Sequence, residues 1–206
     1  QPNPRDMLVY EGIELCRKEK VDVVLAVGGG SVIDSAKAIA LGVMYDGDFW
    51  DFYSGKQTVK AVLPLGVVLT LPAAGSEASN STVVTKEAGM LKRFCDSDLL
   101  RPRFAILNPE LTFTLPPFQT ACGVADIMAH VMERYFTNTT HVDLTDGLCE
   151  TVLRTMLKNA PLVFSDPRNY DAWCEVAFSG TLAHNGLVGS GREEDWACHG
   201  MEHELS

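Results

Sequence analysis

The chain has 206 residues, 46% of them hydrophobic, and a formal net charge of −10. That length and composition suit a packed globular protein of one large domain or two modest ones. The acidic balance argues against a nucleic-acid or anionic-membrane surface. The longest apolar stretch, 61–71, is short and broken by Pro64 and Gly66, which excludes a membrane-spanning helix there.

The first residues are polar and carry no signal-peptide pattern. Cysteines stand singly at 16, 95, 122, 149, 174 and 198, with no Cys-x-x-Cys pair. Several fall inside apolar helical patterns, which reads as buried free thiols in a reducing cytoplasm rather than a disulfide framework or zinc ribbon. Residues 5–20 predict an amphipathic helix, with Met7, Leu8, Ile13, Leu15 and Cys16 apolar and Arg17, Lys18 and Lys20 in its last turn. Residues 21–27 are a continuous, largely β-branched run, which predicts a strand buried on both faces. Gly28-Gly-Gly-Ser31 follows, and helical spacing resumes over 32–41 with Gly42 as its stop.

Strand, glycine turn and helix form the layout of a phosphate cradle. Glycines admit the anion close to the backbone, and the free amides of the helix start point at it. The same layout also makes a tight βα connection. The turn is not Gly-x-Gly-x-x-Gly, and no ribose-binding acid is evident some twenty residues on. Asp34 lies in the first turn of the helix, where an acid favours the dipole.

Residues 44–60 read as an irregular excursion carrying Tyr45, Phe49, Trp50, Phe52 and Tyr53. A second buried strand spans 65–71 and is closed by Pro72. The small, hydroxyl-rich stretch 73–81 either offers amides and hydroxyls to a ligand or is a solvated turn. Residues 82–85 and 91–94 pair as short strands around Glu87-Ala-Gly89, and 104–107 is a last strand. After Pro116-Pro117 helical patterns take over, at 118–136, 141–163, 168–185 and 195–205. The expected organisation is therefore an α/β half, 1–112, and an all-helical half, 113–206, with a ligand cleft between them.

In the first of these later helices Asp126 and His130 are four residues apart, so their side chains stack on one face. Their neighbours Cys122, Ala125, Ile127, Ala129 and Val131 are small or apolar. A charged group there needs a partner. Either a metal cation supplies it, or the two residues bond to each other and satisfy a core histidine. His199 and His203 repeat the spacing in the last helix, while His141 and His184 read as structural or surface residues.

Five pieces, in order, carry a resemblance. They are Val27-Gly-Gly-Gly-Ser-Val-Ile-Asp34, Leu71-Pro-Ala-Ala-Gly-Ser-Glu77, Asn108-Pro-Glu-Leu-Thr-Phe-Thr-Leu-Pro116, Gly123-Val-Ala-Asp-Ile-Met-Ala-His130 and Asp195-Trp-Ala-Cys-His-Gly-Met-Glu-His203. With them the chain resembles the iron-containing, group III alcohol dehydrogenase family, most closely its butanol dehydrogenase and aldehyde reductase branch. The resemblance implies an α/β, Rossmann-like parallel-sheet nucleotide-binding part followed by an all-helical metal-binding domain, a dehydroquinate synthase-like architecture truncated at both ends. It implies NAD(P)H with its pyrophosphate at Gly28, Gly29, Gly30 and Ser31, and Asp34 as the family acid of the following helix. Thr70, Leu71 and the loop through Ser76 would lie near the ribose and nicotinamide, and Lys92 (or Arg93) would reach the cofactor. Asp126, His130 and His203 match metal ligands for Fe(II) or Zn(II). His199 matches a nearby histidine and, with water, is a candidate for proton delivery.

The implied substrates are aldehydes and primary alcohols, and the implied state is a cytoplasmic homodimer with no nucleic-acid or membrane partner. Two departures stand out. Ala74 replaces a Thr found in many relatives. A further His ligand, and the opening βα unit that selects NAD or NADP, have no counterpart, so the chain reads as an internal fragment. The rival readings are a glycerol dehydrogenase-like enzyme of the same fold and a catalytically incomplete nucleotide-binding or assembly fragment.

Overall fold

A computed structural model describes residues 3–205. Gln1, Pro2 and Ser206, at the ends of the two expected halves and of the polar opening stretch, lie outside the described residues. Helix α1 (Asp6–Glu19) leads into strand β1 (Val24–Gly28), and α2 (Gly30–Val43) starts two residues after β1 ends. A one-turn helix α3 (Trp50–Tyr53) precedes β2 (Leu65–Leu69). The antiparallel hairpin β3 (Ser81–Lys86) and β4 (Leu91–Asp96) follows, then β5 (Phe104–Leu107). Four helices complete the chain: α4 (Pro117–Tyr135), α5 (Asp143–Ser165), α6 (Tyr170–His184) and α7 (Ala197–Leu205).

The main sheet is parallel, in the order β1-β2-β5, with Val24 opposite Leu65 and Gly66 opposite Phe104. Parallel neighbours need crossovers, and α2 supplies the one between β1 and β2. Its Ile33 and Ala36 pack on Ala26, Leu65, Val67 and Leu69. The opposite face of the sheet is open. Leu25 and Val27 are each 56% exposed, Phe104 51% and Ile106 50%. The expectation that residues 21–27 are buried on both faces is therefore corrected. An unbroken apolar run is compatible with two covered faces, but among the described residues covering elements lie on one face only.

The aromatic excursion is core. Phe49, Trp50, Phe52 and Tyr53 pack with Val9 and Ile13 of α1, Ala38 and Leu41 of α2, and Val84 and Cys95 of the hairpin. Phe49 meets the Tyr10 ring edge-on at 4.7 Å, and Trp50 stacks on Tyr53 at 5.4 Å. A separate core joins α4, α5 and α6 through Ile127, Val131, Met156, Trp173 and Val176. The six cysteines are free, as expected, but only Cys95 and Cys149 are buried. Cys122 and Cys198 are exposed.

Helix α4 starts at Pro117, which opens its first turn, where a missing N–H costs nothing, and the extended Pro116 precedes it without a side-chain cap. It docks on the loop after β2 at Gly123, where a Cβ would sit 2.4 Å from the Pro72 carbonyl oxygen. Gly123→Ala is therefore expected to destabilise by roughly 1–3 kcal/mol through overpacking against backbone. Gly147→Ala, in α5 with open space around it, should be neutral or stabilising by up to about 1 kcal/mol. Urea unfolding of the two variants checks the contrast, and equal effects would contradict it.

Candidate functional site

The site is assembled around the segment between β2 and β3. At its start, Thr70 N donates to the Gly28 carbonyl at 3.1 Å, which lays the segment beside the glycine turn. Gly29 is the N-cap of α2 and no described side chain caps that end, so the first amides of a 14-residue helix keep their donor capacity. A Cβ on Gly29 would come within 3.1 Å of Leu71 Cβ, and one on Gly30 within 3.3 Å of Ala74 Cβ. The structure thus brings Gly28, Gly29, Gly30, Ser31, Thr70 and Leu71 to one place.

Asp34 and Ser76 bond to each other. Ser76 Oγ donates to Asp34 Oδ1 at 2.5 Å, and Val83 N donates to Oδ2 at 2.9 Å. Burial raises the Asp34 pKa, while the neighbouring Lys37 and the two hydrogen bonds oppose the rise. The expected place of Asp34 in the first turn is corrected, because α2 starts at Gly30 and has no acid in its first turn. The two Asp34 oxygens are spent tying α2 to the loop and to β3, and the Ser76 hydroxyl is spent on Asp34. Lys92 on β4 is ion-paired with Glu202 of α7, its Nζ 3.0 Å from both carboxylate oxygens.

Sequence reading missed Lys37. Its side chain is fully buried, and Nζ donates to Ser79 O and Ser79 Oγ at 3.0 Å each and to Ser81 O at 2.7 Å. The available signal was a lone cation inside the small, apolar run Ser35-Ala-Lys-Ala-Ile-Ala40. Burial lowers its pKa from 10.5 to about 8, against the pull of Asp34 and Glu77. Glu77, also buried, accepts from Thr181 Oγ1 of α6 at 2.6 Å through Oε1, while Oε2 has no hydrogen-bond partner among the described residues.

On the helical side, Asp126, His130 and His199 each turn one donor atom inward, and these atoms lie within 4.8 Å of one another. His130 Nδ1 stands 2.8 Å from the Asp126 carbonyl oxygen. A carbonyl only accepts, so the ring proton belongs on Nδ1 and the Nε2 lone pair is available. Burial holds the His130 pKa below its ordinary value, with Asp126 opposing. His199 Nε2 lies 3.7 Å from Asp126 Oδ1. Hydrogen bonding toward Asp126 raises the His199 pKa, and burial opposes it.

His203 is not in this group. It lies beside Glu202, Nε2 to Oε2 3.8 Å, and burial with the Lys92 charge lowers its pKa. His199 rather than His203 stands with Asp126 and His130. Helical spacing puts both on one side of α7. That helix buries no residue, so no apolar stripe in the sequence set its rotation.

Around the trio sit residues that the sequence did not single out. His184 is edge-on to His130 at 4.4 Å, and its Nδ1 faces the Arg134 guanidinium at 3.1 Å. Burial, then the nearby His130 and Arg134, holds His184 well below its ordinary pKa, so it is neutral. Buried Arg134 donates to Glu194, to the His130 carbonyl and to the Ala183 carbonyl, and lies 4.3 Å over the Trp196 ring. Trp196 in turn packs 5.3 Å from His199. The loop links the two regions: Pro72 touches α4 at Gly123, and Gly75 packs on His184 and on the Gly180 carbonyl of α6.

Residues 1–109 match the family described as iron-containing alcohol dehydrogenase, and residues 120–206 match its C-terminal region. The chain belongs to the iron-containing alcohol dehydrogenase family. It is 48% identical over 206 residues to a probable NADH-dependent butanol dehydrogenase of Bacillus subtilis, covering 100% of this chain and 53% of that protein. It is 39% identical to an NADPH-dependent aldehyde reductase of Escherichia coli, covering 100% of this chain and 54% of that one. The crystal structure of NADH-dependent butanol dehydrogenase A from Thermotoga maritima superimposes with a TM-score of 0.97 at 40% identity, covering 100% of this chain and 52% of the other. The chain spans about half the length of the curated relatives it matches.

Lys37→Met would leave Asp34 and Glu77 buried without their cation, at an expected cost of roughly 3–5 kcal/mol. Because the folded-state pKa is lowered, the unfolded chain holds the extra proton between about pH 8 and 10.5. The stability of the parent relative to Lys37→Met should therefore rise with pH across that window. Denaturant titrations at several pH values read the difference, and a flat or falling difference would contradict it.

Proposed function

We propose that this chain carries the cofactor and metal core of an enzyme that moves hydride reversibly between NAD(P)H and an aldehyde, giving a primary alcohol. The observation that carries the reading is the convergence of Asp126, His130 and His199, with the loop 70–81 running from that trio to the glycine turn. One carboxylate and two imidazoles suit Fe(II), and also Zn(II). A neutral, low-pKa His130 suits cation binding, because a ligand must be deprotonated. Bound there, a divalent ion and a reduced nicotinamide would supply Lewis acidity and hydride for carbonyl reduction.

Each residue has its task in this reading. The amides of Gly30 and Ser31 hold the pyrophosphate at the positive end of α2. Thr70 and Leu71 flank the nicotinamide side of the turn. Asp126, His130 and His199 hold the cation, and solvent supplies the proton that completes the alcohol. Lys92 and His203 belong to the α7 margin of the same region, where the Lys92–Glu202 pair holds α7 on the hairpin. Butanal is the substrate to try first, since the similar proteins of Bacillus subtilis and Thermotoga maritima carry the name butanol dehydrogenase.

The division we propose falls between residues 112 and 113, where the sheet has ended and helices follow. We also propose a cytoplasmic homodimer. Six free cysteines fit a reducing compartment. No described helix is long and apolar enough to cross a membrane.

His130→Ala tests the reading. Metal content is expected to fall below stoichiometric, and NAD(P)H-dependent butanal reduction to drop by about two to three orders of magnitude, as the loss of several kcal/mol of charge stabilisation requires. NAD(P)H binding, followed by nicotinamide fluorescence, should be unchanged. A variant that keeps both metal and rate would sink the assignment.

A further inference from the structure

We propose that Glu133 is a positioning residue for His199, holding its ring so that Nε2 faces Asp126 and His130. The inference rests on the metal reading above and adds a residue to it. Glu133 follows His130 by three positions on α4, so the two side chains share one side of the helix. Its Oε1 receives two hydrogen bonds from a single residue, the backbone N of His199 at 2.9 Å and the ring Nδ1 at 2.9 Å. The Glu133 side chain is 8% exposed, so water competes weakly for that oxygen.

Two bonds to one oxygen fix both where His199 enters α7 and how its ring is turned. A carboxylate only accepts, so a ring proton sits on Nδ1, and Nε2 is the nitrogen that would give up its proton to bind a cation. That is the nitrogen 3.7 Å from Asp126 Oδ1. Packing adds ring contacts only: α7 has no buried residue, and the His199 imidazole meets the His130 ring at 4.5 Å and the Trp196 ring at 5.3 Å. His130 has its Nδ1 proton held by a different group, the Asp126 carbonyl of its own helix. The two imidazoles therefore differ in what orients them. Only that of His199 depends on another side chain, and an orienting carboxylate behind a metal-bound histidine is a general device for fixing ring and basicity.

The experiment titrates Co(II) into the 206-residue chain and follows its visible bands. Glu133→Leu, which removes the acceptor, is expected to weaken Co(II) binding by roughly 10–100-fold. Glu133→Gln keeps an acceptor oxygen in place and should lose distinctly less. In a His199→Ala background, Glu133→Leu should cost nothing further, since no ring remains to be oriented. A merely structural Glu133 would cost the same in both backgrounds.

The proposal is overturned if Glu133→Leu binds Co(II) as tightly as the parent with unchanged bands. It is overturned equally if Gln loses as much as Leu, or if the loss persists without His199. If the parent and His130→Ala bind Co(II) alike, the metal reading fails and takes this proposal with it. Tight binding by the parent with an indifferent Glu133→Leu removes this proposal alone.

Discussion

The interaction on which the structure depends is the burial of the Lys37 ammonium against the loop that follows β2. A lysine taken wholly out of water needs oxygen acceptors, and Ser79 and Ser81 supply three. One turn earlier on α2, Asp34 takes hydrogen bonds from Ser76 and from the Val83 amide. Cation and anion together stitch one helix to the loop and to the start of the hairpin at several points. The loop has no regular hydrogen-bond ladder of its own. Its shape is borrowed from α2, and the borrowed shape sets the wall beside the glycine turn.

The same loop carries the constraint across the molecule. Pro72 meets α4 where only a glycine fits, Gly75 meets α6, and Glu77 bonds Thr181. Arg101 adds a bridge from the Ala78 carbonyl to the Asn185 carbonyl, at 2.6 and 3.0 Å. The helix bearing Asp126 and His130 is thus held relative to the helix start that would hold a dinucleotide. The proposed hydride transfer would require that relation, because reacting atoms must approach within about 3–3.5 Å. Small residues at the contacts let backbone meet backbone, which leaves fewer side-chain rotors to loosen the fit.

The trio itself is held on unequal supports. Asp126 and His130 ride on a 19-residue helix packed into the bundle core by Ile127 and Val131. His199 rides on a helix that buries nothing and is tied down by polar contacts: Glu133 at its start, Lys92 against Glu202 further on. The Arg134 guanidinium beneath Trp196 and His184 closes the floor between them. Polar ties of this kind are directional, so they orient a ring well, but each is replaceable by water once it opens.

Local physics settled much of this chain from its residues alone. Hydrophobic periodicity located the helices, the glycine and proline punctuation located the turns, and the hairpin around Glu87-Ala-Gly89 followed from its two short flanking runs. The change of character after Pro116-Pro117 and the Asp126–His130 spacing were equally legible, because i, i+4 proximity is a property of one helix. Tertiary structure alone decided which of His199 and His203 joins that pair, that Asp34 and Ser76 spend their polar atoms on each other, that Lys37 is buried, and that one face of β1 stays open. Each of these depends on what a distant segment places opposite a side chain. Periodicity along one element says which side a residue lies on, but it carries no information about what meets that side.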